Sequence, residues 1–139
     1  MEIIFEDGTN FKYLSFNNDE IKLLIKFNDN KLRRNKFIFY TDLYNLSNLQ
    51  NQIFKYINNS EYIFKNINIF SEIKYYNKYY YLYIKYKNNN IIFYIKSKEK
   101  VLFSFYLTEN DIHNLYSFIK NIRIYIYENY NINTNELEL

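Results

Sequence analysis

The stretch Glu20-Ile-Lys-Leu-Leu-Ile-Lys-Phe27 alternates apolar and charged side chains, and it decides how the chain folds. In an extended chain the apolar residues at 21, 23, 25 and 27 point to one side, whereas Lys22 and Lys26 point to the other. This pattern is typical of an antiparallel strand with one buried and one solvated face. We therefore predict a sheet that is covered on one face only.

Three further strands are predicted around this stretch, over residues 2–6, 11–16 and 36–40. Asp7-Gly8 between the first two is a hairpin signal, because Gly accepts the positive φ that a tight turn demands. The polar run at 28–30 predicts the turn that leads into the fourth strand. The first 40 residues thus predict a four-stranded meander.

Between Thr41 and Asn59 the apolar period changes to that of a helix. Thr41, Asp42 and Asn45 are the candidates for its N-terminal cap, because their side chains can accept a hydrogen bond from a free backbone N–H. We predict a buried face shared by five apolar residues: Leu46, Leu49, Ile53, Phe54 and Ile57.

Four more strands follow at hairpin spacing, over 62–72, 79–87, 91–97 and 101–107. A second helix follows and ends near Glu128, and Thr108-Glu-Asn-Asp111 at its start predicts a capping box with Asp in place of Glu or Gln. The polar, acidic residues 131–139 are predicted to fray. The predicted apolar stripe of this helix comprises Ile112, Leu115, Ile119, Ile122 and Ile126.

The predicted order is therefore β-β-β-β-α-β-β-β-β-α with short connections throughout. We predict a single α+β domain over residues 1–139, in which two helices cover one face of a curved antiparallel sheet of about seven or eight strands. The length of 139 residues fits one domain, and a 48% apolar composition supplies its core.

The composition excludes several classes of functional site. With one Gly and no Pro or Cys, the chain cannot form a glycine-rich phosphate loop, a thiolate metal site or a Cys nucleophile. His113 is the only imidazole, and His113 with Glu109 one helical turn away makes too few ligands for zinc. We predict a non-catalytic protein without a metal or cofactor, and we interpret His113 as a solvated helix residue.

The chain is also predicted to be cytoplasmic, in a bacterium or in the host of a phage that encodes it. No stretch has the 18 uncharged apolar residues of a membrane span, and the start of the chain is acidic where a secretory signal is basic. The abundant residues, such as Asn, Ile, Lys and Tyr, have A- and T-rich codons, so we attribute the unusual composition to the nucleotide bias of the genome.

The strand over 79–87 carries the most informative surface. Its even-numbered residues make the more apolar face, which leaves Tyr79, Tyr81, Tyr83, Lys85 and Lys87 together on the other face. This aromatic and basic face is the predicted partner-binding site.

Arg33 and Arg34, with Lys31 and Lys36, are predicted to extend this site. Three interpretations stay open. Tyr and Arg are typical anchors of a protein interface, flat rings with lysines also bind single-stranded nucleic acid, and Tyr and Lys simply cover many sheet faces. The net charge of only +3 favours a protein partner over nucleic acid.

The layout also resembles a known family. Tyr40-Thr-Asp-Leu43 leads into the first helix, and Asn68-Ile-Phe-Ser-Glu72 lies on the next strand. Over roughly 35–128 this arrangement resembles the WapI-like small immunity proteins of bacterial polymorphic toxin systems. In that family a polar segment precedes a helix and a carboxylate follows on the next strand, matched here by Thr41 and Glu72. The resemblance implies a stoichiometric inhibitor that binds a toxin and occludes its active surface.

Size, composition and the lack of catalytic motifs fit a second kind of inhibitor equally well. This is a phage-encoded inhibitor of a bacterial defence complex, of the anti-CRISPR type. In that case the basic, Tyr-rich face would grip guide RNA or the groove meant for it. In both hypotheses the chain acts by binding rather than by turnover.

Overall fold

The computed structural model describes residues 1–28, 35–59, 61–62, 67–75, 78–87, 90–98 and 100–130, and at 67–75, 78–79 and 87 it describes the backbone only. Four strands, a helix, four strands and a second helix follow one another, as predicted. The elements are β1 (Glu2–Ile4), β2 (Asn10–Asn17), β3 (Glu20–Lys26), β4 (Lys36–Thr41), α1 (Leu43–Asn58), β5 (Ile67–Tyr75), β6 (Lys78–Lys87), β7 (Asn90–Ser97), β8 (Lys100–Tyr106) and α2 (Glu109–Tyr130).

Each strand pairs antiparallel with its neighbours in sequence, so the sheet order is β1 to β8 without a crossover. Among the described residues, the pair Tyr40 and Ser71 is the one bridge between β4 and β5, and the sheet thus consists of two four-stranded halves. The predicted α+β class is confirmed. No helix in the described part of the chain is both long and apolar enough to cross a membrane.

The described part of the strand after α1 begins at Ile67, and residue 62, where this strand was predicted to begin, lies outside it; residues 63–66 lie outside the described part of the chain. A polar turn precedes it, because the N–H of Tyr62 donates to the backbone oxygen of Asn59 and the N–H of Glu61 donates to the Asn59 side chain. Such Asx turns compete with extended structure at helix ends.

Aromatic side chains join the inner faces of the two half-sheets. Phe5, which follows β1, lies edge-on to Phe11, Phe93 and Phe105, with ring centroids 4.8, 5.9 and 5.2 Å away. Each such pair contributes roughly 0.5–1.5 kcal/mol beyond the burial of its area. Inward residues of both half-sheets and apolar residues of both helices belong to one core.

Helix α1 begins after Asp42, whose side chain accepts a hydrogen bond of 2.7 Å from the N–H of Asn45. The predicted buried face is wrong at one position: Phe54 is 49% exposed and leans on Tyr116 of α2. Two glutamines, Gln50 and Gln52, are buried instead. Helix α1 packs against α2 as well as against the sheet, and Gln50 faces Arg123 of α2.

Gln50 meets a buried arginine where the two helices pack. Arg123 of α2 donates from Nη1 to Oε1 of Gln50, and both residues are nearly inaccessible to solvent. Burial lowers the pKa of the Arg123 guanidinium, and the Tyr116 hydroxyl partly offsets this. Because a buried charge without hydrogen bonds is strongly unfavourable, this contact restricts how α1 and α2 can shift against each other.

The predicted capping box at the start of α2 is confirmed. The N–H of Asp111 donates to Thr108 Oγ1, and the N–H of Thr108 donates to Asp111 Oδ2, both at 3.1 Å. The other carboxylate oxygen of Asp111 accepts the N–H of Glu6 at 2.9 Å, across 105 residues of sequence. Asp111 thus caps the last helix and fastens it to the first hairpin.

That hairpin turns at Gly8, whose φ of +96° confirms the predicted role of Asp7-Gly8. The Asp7 carboxylate accepts both the N–H and the hydroxyl hydrogen of Thr9, and Asn28 donates from Nδ2 to the Asp7 carbonyl. A Cβ at residue 8 would lie 2.7 Å from Asn28 Nδ2, so a side chain there would strain the backbone and displace Asn28 from its bond to Asp7.

We predict that Asp111→Ala lowers the free energy of unfolding by about 1–3 kcal/mol, because the N–H groups of Thr108 and Glu6 lose their hydrogen bonds to the buried Asp111 carboxylate. Urea unfolding followed by circular dichroism measures the change. Glu109→Ala, in the same helical turn but exposed, is the matched control and should change stability by less. Equal effects of the two substitutions would contradict the assigned role of Asp111.

A candidate interaction surface on β6 and β7

The alternation of β6 turns its side chains to opposite faces, as the sequence predicts. Leu82 and Ile84 are buried in the core, whereas Tyr81, Tyr83 and Lys85 lie on the outer face. The register with β7 places Tyr94 opposite Tyr83 and Lys96 opposite Tyr81. We call Tyr81, Tyr83, Lys85, Tyr94 and Lys96 the Tyr–Lys surface.

Three rings of this surface stack on one another. The centroids of Tyr83 and Tyr94 are 5.1 Å apart with an angle of 18° between ring planes, and those of Tyr81 and Tyr83 are 6.1 Å apart at 29°. Lys85 Nζ lies 4.8 Å from the Tyr94 centroid, which is within cation–π distance. The rings therefore restrict one another before any partner binds.

The outer face has an apolar floor next to these rings. Ile92 lies on the outer face, opposite Lys85 of β6 and Tyr106 of β8, and it does not belong to the main core. It is nevertheless only 6% exposed. Tyr106 is 63% exposed. The surface thus combines a small buried apolar patch, stacked rings and two ammonium groups.

The Tyr94 hydroxyl keeps its proton at neutral pH. Burial raises the pKa of Tyr94, and the neighbouring Tyr83 raises it further. A protonated phenol both donates and accepts a hydrogen bond. The surface therefore offers neutral donors and acceptors beside the positive charges of Lys85 and Lys96.

The structure brings together three of the predicted site residues, Tyr81, Tyr83 and Lys85. The backbone of Tyr79 pairs with Lys74 and that of Lys87 pairs with Asn90, but the side chains of Tyr79 and Lys87 lie outside the described part. Residues 31–34, with the predicted Arg33 and Arg34, also lie outside it.

Sequence reasoning missed Tyr94 and Lys96. Both lie on a strand that was correctly predicted, and they alternate with the buried Phe93 and Ile95. The signal that could have found them is the short connection between β6 and β7, because a hairpin places the outward residues of its two strands side by side.

His113 and Glu109 lie at a separate cavity of about 400 Å³ between the end of α1 and the starts of β7 and α2. His113 is exposed, as predicted. Tyr56 also lines this cavity, and its pKa is raised by burial, by Tyr86 and by Glu109. Among the described side chains, no three of His, Asp or Glu are grouped so that they could hold a metal ion.

We predict that Tyr83→Ala lowers the pKa of Tyr94, because the substitution exposes the Tyr94 ring and removes a neighbouring phenol. Tyr83→Phe should lower it less, since the ring, and with it most of the burial, remains. Carbon-13 NMR of labelled tyrosine Cζ atoms against pH measures the titration. Tyr44→Ala, on the exposed side of α1, is the control; an unchanged Tyr94 pKa in Tyr83→Ala would refute the stacking contact.

The Tyr–Lys surface differs from the cavity at His113 in that its groups are held in a defined array by their mutual contacts. Its rings, its ammonium groups and its apolar floor are contributed by adjacent strands of one half-sheet.

Comparison of the chain with protein-family models, with curated proteins and with solved structures finds no match.

Proposed function

We propose that this protein is a non-catalytic inhibitor that binds another protein stoichiometrically through the Tyr–Lys surface and occludes part of that partner. The observation that carries the proposal is the stack of Tyr81, Tyr83 and Tyr94 with Lys85 against it. Tyr is among the residues that contribute most to protein interfaces, and rings that are already ordered lose little entropy on binding.

The orientation of the rings favours a protein over a single-stranded nucleic acid. Nucleobases bind such surfaces by stacking on free ring faces. Here one face of Tyr83 and one face of Tyr94 turn toward each other, and Lys85 lies over Tyr94, so fewer ring faces are free than on an unstacked surface. Edges and hydroxyls suit contacts with peptide groups and side chains, which supports a protein partner.

The charges of the surface point to the chemistry of the partner. Lys85 and Lys96 flank the rings, and residues 74–100 hold seven Lys and one Glu in sequence. An epitope with carboxylates around an apolar centre is complementary to this arrangement. A toxin, as the resemblance to immunity proteins implies, or a defence effector would bind here through such an acidic epitope.

The test of this proposal is the double substitution Tyr81→Ala with Tyr83→Ala. The wild-type chain is first used to capture a partner protein from cells that carry the gene of this chain. The captured protein is identified, produced separately and titrated calorimetrically against wild type and variant. We expect a one-to-one complex and an affinity at least about tenfold weaker for the variant, the loss typical of an interface anchor. Tyr44→Ala is the control and should bind as wild type does.

The variant should keep nearly the melting temperature of wild type, because Tyr81 and Tyr83 lie outside the core. Unfolding of the variant, or unchanged affinity for the captured protein, would refute the assignment of the surface. Titration with a single-stranded oligonucleotide tests the alternative that the surface binds nucleic acid. Binding that weakens steeply with salt and disappears in the variant would identify the surface as a nucleic-acid site instead.

A further inference from the structure

Strand β8 ends the sheet, and its far edge carries no paired strand among the described residues. The opposite edge is formed by β1, which has only three residues, whereas β8 has seven. A long strand edge presents a row of backbone N–H and C=O groups to which another chain can add.

The register shows which backbone groups of β8 point to this edge. The N–H of Leu107 donates to the carbonyl of Ile91, so these two residues form a hydrogen-bonded pair of the antiparallel ladder. Bonded and non-bonded pairs alternate along such a ladder. Ser104, opposite Tyr94, and Tyr106, opposite Ile92, therefore direct their N–H and C=O groups away from β7.

The side chains along this edge do little to prevent pairing. Residues 101–107 contain no charge, and Val101 and Tyr106 are 50% and 63% exposed. Protein sheets commonly shield a free edge with charged side chains or Pro. The edge of β8 lacks both between Val101 and Leu107.

The two ends of β8 carry opposite charges. Lys98 and Lys100 lie at its start, with Glu99 between them in sequence, and Glu109 follows its end. When two such strands pair antiparallel about Ser104, Glu109 of one copy comes opposite position 99 of the other, with Lys98 and Lys100 on either side of that position, so the acidic end meets a start of net positive charge. The edge is therefore complementary to a second copy of itself, as the interface of a two-fold dimer requires.

We infer that β8 pairs antiparallel with β8 of a second copy of this chain, about a two-fold axis at Ser104. Ser104 then lies opposite Ser104 of the second copy, and the two sheets continue into one another. Because this axis is perpendicular to the sheet, the Tyr–Lys surfaces of both copies lie on the same side. The inference is independent of the proposed function, since a dimer forms or fails to form whatever the partner is.

The test introduces a charge at the axis, in two variants, Ser104→Lys and Ser104→Glu, that are produced separately. Each variant places like charges opposite each other and should sediment as a monomer, whereas their mixture should restore the doubled mass of wild type. Ser117→Lys, at an exposed serine of α2, is the matched control and should remain dimeric. Monomeric wild type up to submillimolar concentration, or dimeric single variants, would overturn the inference.

Hydrogen exchange on the unmodified chain gives a second measurement that needs no variant. The amides of Ser104 and Tyr106 should become protected as the protein concentration rises, whereas those of Phe103 and Phe105 should be protected at all concentrations through their bonds to β7. Protection of Ser104 that does not depend on concentration would contradict pairing between copies.

Discussion

One-sided burial is the constraint on which this molecule depends. Both helices share a core with the inner face of the sheet, so strands such as β3 and β6 alternate between side chains that enter this core and side chains that remain outside. On β6 and β7 the outward set is aromatic and basic, and its members contact one another. The same alternation that secures the core therefore assembles the candidate site.

Much of this arrangement could be predicted because it depends on local periodicity. The alternation of β6 assigned Leu82 and Ile84 to the core and Tyr81 and Tyr83 to the outer face, and the spacing of Thr108 and Asp111 identified a cap. These features involve residues only a few positions apart. Their geometry follows from the strand or helix alone, whatever it packs against.

Other features depend on contacts between distant segments, and the sequence pattern did not indicate them. Phe54 fits the apolar stripe of α1 by spacing, yet it is 49% exposed, whereas Gln50 is buried with its partner Arg123. Likewise, the contact of Tyr94 with Tyr83 depends on the register between two strands. A single residue of slip in that register would turn Tyr94 to the opposite face.

The bond from Glu6 to Asp111 joins the first hairpin to the last helix. A ribosome delivers residue 6 well before residue 111, so this hairpin must wait for about a hundred further residues before its final anchor exists. Contacts this distant in sequence slow the closing stage of folding. The nascent polypeptide therefore reaches its finished topology only after the segment around residue 111 has left the exit tunnel.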